Sequence, residues 1–345
     1  MQKTIWTYLL LACSLLNFTA CENELDIAAD WEEVAIIYGA LNPTSAKNYV
    51  RIQRAYLDEK RSAFSFSRIQ DSLYFDTLDV TINEFKDGVY TKTYTLNKVN
   101  GNDLGLPKDT GIFYSDENIL YELSDPVKAS AATVRYDYEL IVRNPISGYE
   151  CRAKTISVGK PEVTEPLNDD FNFLVVSTNE DHSVLTRFLE GVNVRSYTVV
   201  MDMRIEETLI DDPSSKQIKE ISWRMIHSGK TKSLRGFNRA TYLVPSVNFF
   251  ATLNATLTED VNIERRLVDF DLSFYGIADD FNTYLDVNKP SIGIVQKKPE
   301  FTNVTNGLGL FSSRHIKEFK NQIFHESTIG QLQASEYTVN LGFVD

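Results

Sequence analysis

A β-hairpin is predicted at residues 78–96, LDVTINEFKDGVYTKTYTL. Its first half alternates apolar and polar residues, which is the two-residue period of a strand with one buried face. At its centre stands Asp87-Gly88. These residue types suit the positive φ angles that a type I′ turn needs at both central positions. The stretch therefore predicts two antiparallel strands joined by a tight turn.

The same pattern of two strands joined by a turn recurs further along the first half of the chain. One face of a predicted strand carries Val134, Tyr136, Tyr138, Leu140 and Val142. A turn signal at 144–148 leads from it into another strand. Successive antiparallel strands with polar outer faces favour a β-sandwich, which we expect to be immunoglobulin-like, over residues 31–158. Two prolines and no periodicity over residues 159–166 indicate a linker.

The second half is also predicted to be mostly strand. Candidate strands cover residues 197–205, 218–226, 248–257 and 268–274. A helix is indicated instead by the spacing of Ile277, Phe281, Tyr284 and Leu285. Asp279 and Asp280 suit the N-terminus of this helix. We therefore expect a mainly β protein with two antiparallel β domains. The second, over residues 167–345, would be a larger sheet carrying one short helix near residues 277–287.

The N-terminus resembles a bacterial lipoprotein signal peptide over residues 1–20. A short basic start and an apolar stretch lead to Cys21, and that stretch is shorter than the ~20 residues of a spanning helix. Cys21 is the predicted lipidation site and the first residue of the mature protein. Cys13 is a rival lipidation site, and an ordinary cleaved signal with an incidental cysteine is the plainer alternative.

An acidic tether is predicted at residues 21–30, with Glu22, Glu24 and Asp26 directly behind the lipidated cysteine. In Bacteroidota such an acidic patch can direct export to the cell surface, and the alternative is a plain solvated tether. The lipid anchor predicts attachment to a membrane, with display on either the cell surface or the periplasmic face.

The charge and the aromatic content of the chain limit the kinds of partner that it can bind. The chain has 345 residues and a formal net charge of −13. This acidity argues against nucleic acid, which needs a basic face, and against electrostatic adhesion to anionic lipid. The 20 Phe and 17 Tyr residues are typical of sheet cores, with a carbohydrate-stacking surface as the alternative.

No motif in the sequence indicates catalysis, a metal or a cofactor. The four histidines, at positions 182, 227, 315 and 325, lack metal-ligand spacing. Asp269 and Asp271 share a strand face, which we expect to be solvated. After removal of the signal peptide and lipidation of Cys21, the remaining cysteine is Cys151, which is most simply a small buried hydrophobe. We therefore assign no catalytic, metal or cofactor site.

Two short motifs resemble acceptor sites for O-glycosylation in some Bacteroidota. They are Asp71-Ser72-Leu73 and Asp76-Thr77-Leu78, which make Ser72 and Thr77 candidate acceptors. Three-residue motifs also arise by chance, so an unmodified surface is the alternative.

The stretch at 301–311, FTNVTNGLGLF, contains Asn306-Gly307, a turn signal. It resembles S-N-I-x-N-G-x-G-x-F, the closing motif of an uncharacterised family of Bacteroidota outer-membrane lipoproteins. There, too, a short helix with a tyrosine precedes the motif, as Tyr284 does here. The strand at 138–142, YELIV, fits the family's Y-x-L-x-V, and Cys21 with its acidic neighbours fits its N-terminus. Residues 312–315, SSRH, depart from the usual G-x-x-A-Y ending.

The resemblance implies an outer-membrane lipoprotein that is often encoded beside a TonB-dependent transporter, with no established activity. The leading hypothesis is a non-enzymatic binding or accessory lipoprotein that works with such a transporter in nutrient capture. A surface adhesion or envelope-structural protein is the second hypothesis. A carbohydrate-active enzyme is the third, and it would need two carboxylates ~5–9.5 Å apart in a pocket.

Overall fold

A computed structural model describes residues 33–55, 69–109, 114, 116–165, 182–289 and 300–345. The signal peptide, the tether, Cys21 and the acidic residues Glu22, Glu24 and Asp26 lie outside these ranges. The described residues confirm a mainly β protein with several antiparallel sheets.

The described ranges contain sixteen strands and three helices, apart from a single helical turn at Gln70–Leu73 and two short 3-10 turns. In chain order the strands are β1 (Ala35–Leu41), β2 (Asn48–Arg54), β3 (Asp79–Lys86), β4 (Val89–Thr95), β5 (Asn97–Asn100), β6 (Ile119–Leu123), β7 (Tyr136–Arg143), β8 (Glu150–Ile156), β9 (Glu162–Glu165), β10 (Ser183–Leu189), β11 (Ser196–Leu209), β12 (Asp212–Lys230), β13 (Arg239–Pro245), β14 (Ile263–Ile277), β15 (Val304–Thr305) and β16 (Gly307–Gln322). The helices are α1 (Val247–Thr256), α2 (Asp279–Asn288) and α3 (Glu326–Ala334).

Three sheets are formed. The largest has eight strands in the order β12-β11-β14-β16-β1-β2-β6-β5. The others have the orders β15-β8-β7-β3-β4 and β13-β10-β9. The long strand β16 pairs in parallel with β1 through residues 307–313 and antiparallel with β14 through residues 314–322. One strand thus joins the N-terminal and C-terminal parts of the large sheet.

The predicted hairpin is confirmed as β3 and β4. Asp87 has φ 51° and Gly88 has φ 81°, as the tight turn requires. A core cluster forms between this five-stranded sheet and the β1-β2-β6 part of the large sheet. Ile37 and Ile52 contribute from one side, and Ile82 and Leu140 from the other.

A second core cluster lies beneath β11 and β14. Met201, Met203 and Phe270 are fully buried there. Helix α1 adds Phe249, whose ring lies 5.7 Å from that of Trp223 in an edge-to-face arrangement. For these residues the prediction that aromatics form sheet core is confirmed.

One predicted strand is wrong, because residues 248–257 lie mostly in helix α1. Phe249, Phe250, Leu253 and Leu257 are buried at spacings that match one helical face. The hydroxyl of Thr252 donates to the Asn248 carbonyl, so a β-branched residue that favours strands is accommodated in the helix. The described residues therefore contain two helices, α1 and α3, beyond the one predicted.

The expected linker at 159–166 is also wrong in part. Glu162–Glu165 form β9, which pairs with β10. Gly159 is buried, and its backbone N–H donates to the Val192 carbonyl at 2.8 Å. The segment is therefore packed into the fold.

Helix α2 confirms the helix predicted near residues 277–287, and Asp279 and Asp280 lie in its first turn. The strand predicted at 268–274 is confirmed within β14, but Val268 does not lie on the buried face with Phe270, Leu272 and Phe274. There the ladder between β11 and β14 shifts register, and Val268 is 44% exposed. This is the signature of a β-bulge, which turns one side chain away from the core.

No helix among the described residues has both the length and the apolar character needed to span a membrane.

Candidate functional site

A cleft of about 470 Å³ opens between the large sheet and helix α2. Four chain segments line it: β1, the β1–β2 connection with the start of β2, helix α2, and β16. Leu106 adds an apolar contact from a loop. We call it the Tyr38–Tyr284 cleft, after two aromatic side chains of its lining that pack against each other. Its lining residues are Tyr38, Gly39, Ala40, Asn42, Ser45, Lys47, Asn48, Tyr49, Leu106, Phe281, Tyr284, Leu310 and Arg314.

The strand period of β1 places Tyr38 in the cleft. Its neighbour Ile37 is fully buried in the core, so Tyr38 must point to the opposite face, where it is 41% exposed. The rings of Tyr38 and Tyr284 meet edge to face with their centroids 6.1 Å apart. Burial and a hydrogen bond to Tyr284 raise the pKa of Tyr38 to about 12, so its hydroxyl is neutral at neutral pH.

Arg314 supplies the charged side of the cleft. Its Nε atom is buried and has no hydrogen-bond partner. Within the described residues Arg314 forms no ion pair, whereas the second cation of the lining, Lys47, is paired with Glu122 at 2.9 Å. A guanidinium that has no ion-pair partner is suited to meet an anion.

The rim of the cleft is a rigid turn between β1 and β2. The backbone N–H of Asn42 donates to Asn48 Oδ1 at 2.6 Å, and the N–H of Thr44 donates to Asn42 Oδ1 at 3.1 Å. These bonds hold the turn that begins at Asn42-Pro43, directly after β1. Because the two asparagines are used in this way, they shape the cleft and leave Arg314 as its unpaired donor.

The motif at 301–311 holds the cleft together. Asn303 donates through Nδ2 to the Phe311 carbonyl at 2.7 Å and accepts from the Phe311 N–H at 3.0 Å. The same Nδ2 lies 3.1 Å from Asp280 Oδ2 in the first turn of α2. Asn303 thus ties the helix to β16, from which Arg314 projects.

Two further residues of this motif act through the backbone. Asn306 adopts φ 55°, which confirms the predicted turn before β16. Gly309 adopts φ 104°, and a Cβ atom there would lie 2.0 Å from the Ile37 carbonyl oxygen. The glycine is therefore required for the close parallel pairing of β1 and β16 beneath the cleft. Phe311 is fully buried in the core cluster formed with the five-stranded sheet, whereas Leu308 is 45% exposed.

The carboxylates that the sequence places in pairs are tied to arginine or lie at the surface. Asp269 and Asp271 both bind Arg204, the latter at 2.9 Å through Nη2. Asp279 binds Arg195 at 2.6 Å. This confirms that Asp269 and Asp271 share the face away from the core. The hydrogen bond from Arg204 lowers the pKa of Asp271, which disfavours a role of this carboxyl as general acid.

Cys151 is buried, and burial raises the pKa of its thiol to about 11. This confirms the small buried hydrophobe that the sequence predicts. Of the candidate glycosylation sites, Ser72 is half-buried in the helical turn and Thr77 is exposed just before β3. Their modification stays a prediction.

Among the described residues, no three His, Cys, Asp or Glu side chains come together in a group that could hold a metal ion. His325 begins helix α3, where its Nδ1 accepts from the Ser327 N–H at 3.1 Å. His315 lies on β16 and is only 3% exposed, and its Nδ1 has no hydrogen-bond partner. Burial and the charges of Lys160 and Lys317 lower the pKa of His315 to about 4.

This buried histidine predicts a measurable pH dependence of stability. Below its unfolded value of 6.5 the unfolded chain takes up a proton that the folded protein excludes until about pH 4. Stability should therefore fall as the pH drops, by about 2 kcal/mol between pH 6.5 and about pH 5 from this group alone. In His315→Gln that component should vanish, which urea unfolding of both proteins at about pH 7 and pH 5 measures. Parallel losses in the two proteins would contradict it.

No protein-family model matches this chain. No curated protein is significantly similar to it. The function is therefore argued from the Tyr38–Tyr284 cleft itself.

The cleft was not predicted from the sequence. A helix packed on the sheet is expected from the apolar spacing in 277–285, and α2 does lie against β16. The position of Arg314 in the cleft has no such local signal, because strand β1, which brings Tyr38 to the cleft, comes from the opposite end of the chain.

Proposed function

We propose that this protein is a lipid-anchored binding lipoprotein of the outer membrane, without enzymatic activity, that works with a TonB-dependent transporter in nutrient capture. Lipid on Cys21 would hold it at the membrane. The immunoglobulin-like sandwich over residues 31–158 and a second β domain over 167–345 are part of this proposal. The family resemblance supports the transporter partnership.

The observation that carries the binding role is the Tyr38–Tyr284 cleft. It combines exposed aromatic surface with a guanidinium that lacks a partner, which is the composition of a ligand site. None of its described lining residues is Asp or Glu. Glycoside hydrolysis needs two carboxylates around the scissile bond, so this cleft supports binding over that chemistry.

Isolation of the transporter from native membranes tests the partnership. We expect the protein to co-purify with the transporter in roughly equal amount and Cys21→Ala, which lacks the lipidation site, to be reduced in the membrane fraction. Reproducible absence of the wild-type protein from the isolated transporter would argue against the partnership.

A surface adhesion or envelope-structural role is the second candidate. It is favoured by a groove near the C-terminus, where Val261 is 90% exposed, Val339 is 53% exposed and Ile210 is 51% exposed. Exposed apolar surface of this kind suits contact with another macromolecule. Binding of the protein to intact host or cell-wall glycans, without a transporter partner, would favour this role.

Export to the cell surface is a separate proposal for Glu22, Glu24 and Asp26. Protease treatment of whole cells should degrade the wild-type protein and spare a variant in which all three are replaced by Gln. Equal degradation of both proteins would leave these residues as a plain tether.

A further inference from the structure

We propose that the Tyr38–Tyr284 cleft binds a carboxylate-bearing organic ligand with an apolar or aromatic body. This inference rests on the proposed binding function and names the ligand class of the same site. It requires one charged contact, to Arg314, and one apolar contact, to the aromatic walls.

The charge of the cleft is opposite to that of the chain. The protein carries a formal net charge of −13, yet the described lining of the cleft contains two cations and no carboxylate. Lys47 is largely compensated by Glu122. Arg314 therefore provides the uncompensated charge, and an anion entering the cleft meets no like charge from its walls.

The guanidinium of Arg314 points to the kind of anion. Its Nε is buried, so a ligand in the cleft meets the terminal nitrogens, which have no ion-pair partner among the described residues. The planar guanidinium presents its donors in a fork that matches the two oxygens of a carboxylate. A carboxylate can therefore accept from both terminal nitrogens together.

The opposite wall requires an apolar body on the same ligand. Phe281, Tyr284 and Leu310 surround the space beside Arg314, and Tyr38 and Leu106 are each more than 40% exposed at its edge. A bare inorganic anion would leave this surface in water, whereas an aromatic or aliphatic group would cover it. The cleft volume of about 470 Å³ lies in the usual range for small-molecule sites.

The tyrosine hydroxyls do not oppose an anion. Tyr38 is hydrogen-bonded to Tyr284 and keeps its proton at neutral pH, because burial and this bond raise its pKa to about 12. The neutral Tyr38 hydroxyl adds no negative charge to the cleft.

Binding of matched probes to the full chain, purified in detergent, tests the inference. The probes are naphthalene-2-carboxylate, its neutral amide, and the dipeptide N-acetyl-Phe-Phe, whose C-terminal carboxylate represents a peptide source. We expect at least one carboxylate to bind about tenfold more tightly than the amide. Preference between the first and third probes distinguishes a small-molecule ligand from a peptide end.

The variants assign this preference to one residue. Arg314→Gln should remove the preference for carboxylate while binding of the amide is kept. Arg152→Gln is the matched control, since Arg152 is an exposed arginine on β8 that pairs with Glu150. Circular dichroism of each variant establishes that it folds.

Two results would overturn the ligand class. One is equal binding of carboxylate and amide, and the other is an unchanged preference in a folded Arg314→Gln. If the neutral amide binds and Tyr284→Ala abolishes that binding, the cleft remains a ligand site although the inference about anions is wrong. If no probe binds the folded wild-type protein, both the ligand class and the binding role of the cleft are contradicted.

Discussion

Gly309→Ala is expected to destabilise the protein by about 4 kcal/mol or to prevent its folding. The residue adopts φ 104°, and the added Cβ would approach the Ile37 carbonyl oxygen to 2.0 Å. Neither backbone can move without breaking the pairing of β1 with β16. The clash therefore cannot be relieved at a small cost in free energy. Urea unfolding followed by circular dichroism measures the loss.

Gly88→Ala is the matched control. Gly88 also has a positive φ, 81°, but an added Cβ meets no atom within 4 Å. It should therefore cost only about 1 kcal/mol, the conformational penalty alone. Equal losses in the two variants would mean that the close approach of β1 and β16 is not what requires Gly309.

Glu84→Leu should be the second severe substitution, with a loss of about 4 kcal/mol. Glu84 is fully buried between the sheets of the first core. Its carboxylate accepts from Tyr94 at 2.8 Å and from Tyr138 at 3.1 Å, and Lys128 Nζ lies 2.7 Å away. Burial alone would raise the pKa of Glu84, but hydrogen bonds from Lys128, Tyr94 and Thr91 outweigh it and hold the pKa below its ordinary value. The network therefore stabilises the fold above about pH 4.5, and this contribution is lost as the pH falls through the lowered pKa.

A rescue variant separates this network from simple loss of packing. Glu84→Leu leaves the buried Tyr94 hydroxyl without its acceptor, so the double variant with Tyr94→Phe should regain about 1 kcal/mol. Asp125→Leu is the surface control, because its pair with Lys92 is half-exposed and should be worth less than about 1 kcal/mol. If the double variant is no more stable than Glu84→Leu, the hydroxyl is not the source of the loss.

Local patterns predicted the strands that have one polar face. The hairpin around Asp87-Gly88 carries its turn chemistry within two residues, so nothing distant was needed to place it. Tyr138 and Leu140 are likewise recognisable because their neighbours on the outer face are polar. Helix α2 is identifiable from the spacing of Ile277, Phe281 and Tyr284.

The errors arise where tertiary packing overrides local preference. Helix α1 contains the β-branched Thr252 and the adjacent Phe249 and Phe250, and these residue types favour a strand. The segment is nevertheless a helix, because the core beneath β12 buries Phe249 and Phe250 on one helical face. The short strand β9 shows no recognisable alternation of apolar and polar residues, and it forms because it pairs with the edge of β10. Neither outcome is encoded within the segment concerned.

The cleft belongs to the same class of features. Tyr38 and Arg314 stand on strands at opposite ends of the chain, which meet because β16 pairs in parallel with β1. The glycine that permits this pairing and the asparagine that ties α2 to β16 lie in one motif, at 301–311. The motif is recognisable in the sequence, but its role requires the three-dimensional arrangement.

The central claim is that the protein binds a ligand in the Tyr38–Tyr284 cleft, and native purification tests it most directly. Wild-type protein and the folded double variant Tyr38→Ala/Tyr284→Ala would be isolated from native membranes, and the small molecules released from each would be identified by mass spectrometry. We expect one class of compound to be retained near one equivalent by the wild type and to be lost from the variant. Equal retention by both proteins, or no retained compound in either, would contradict it.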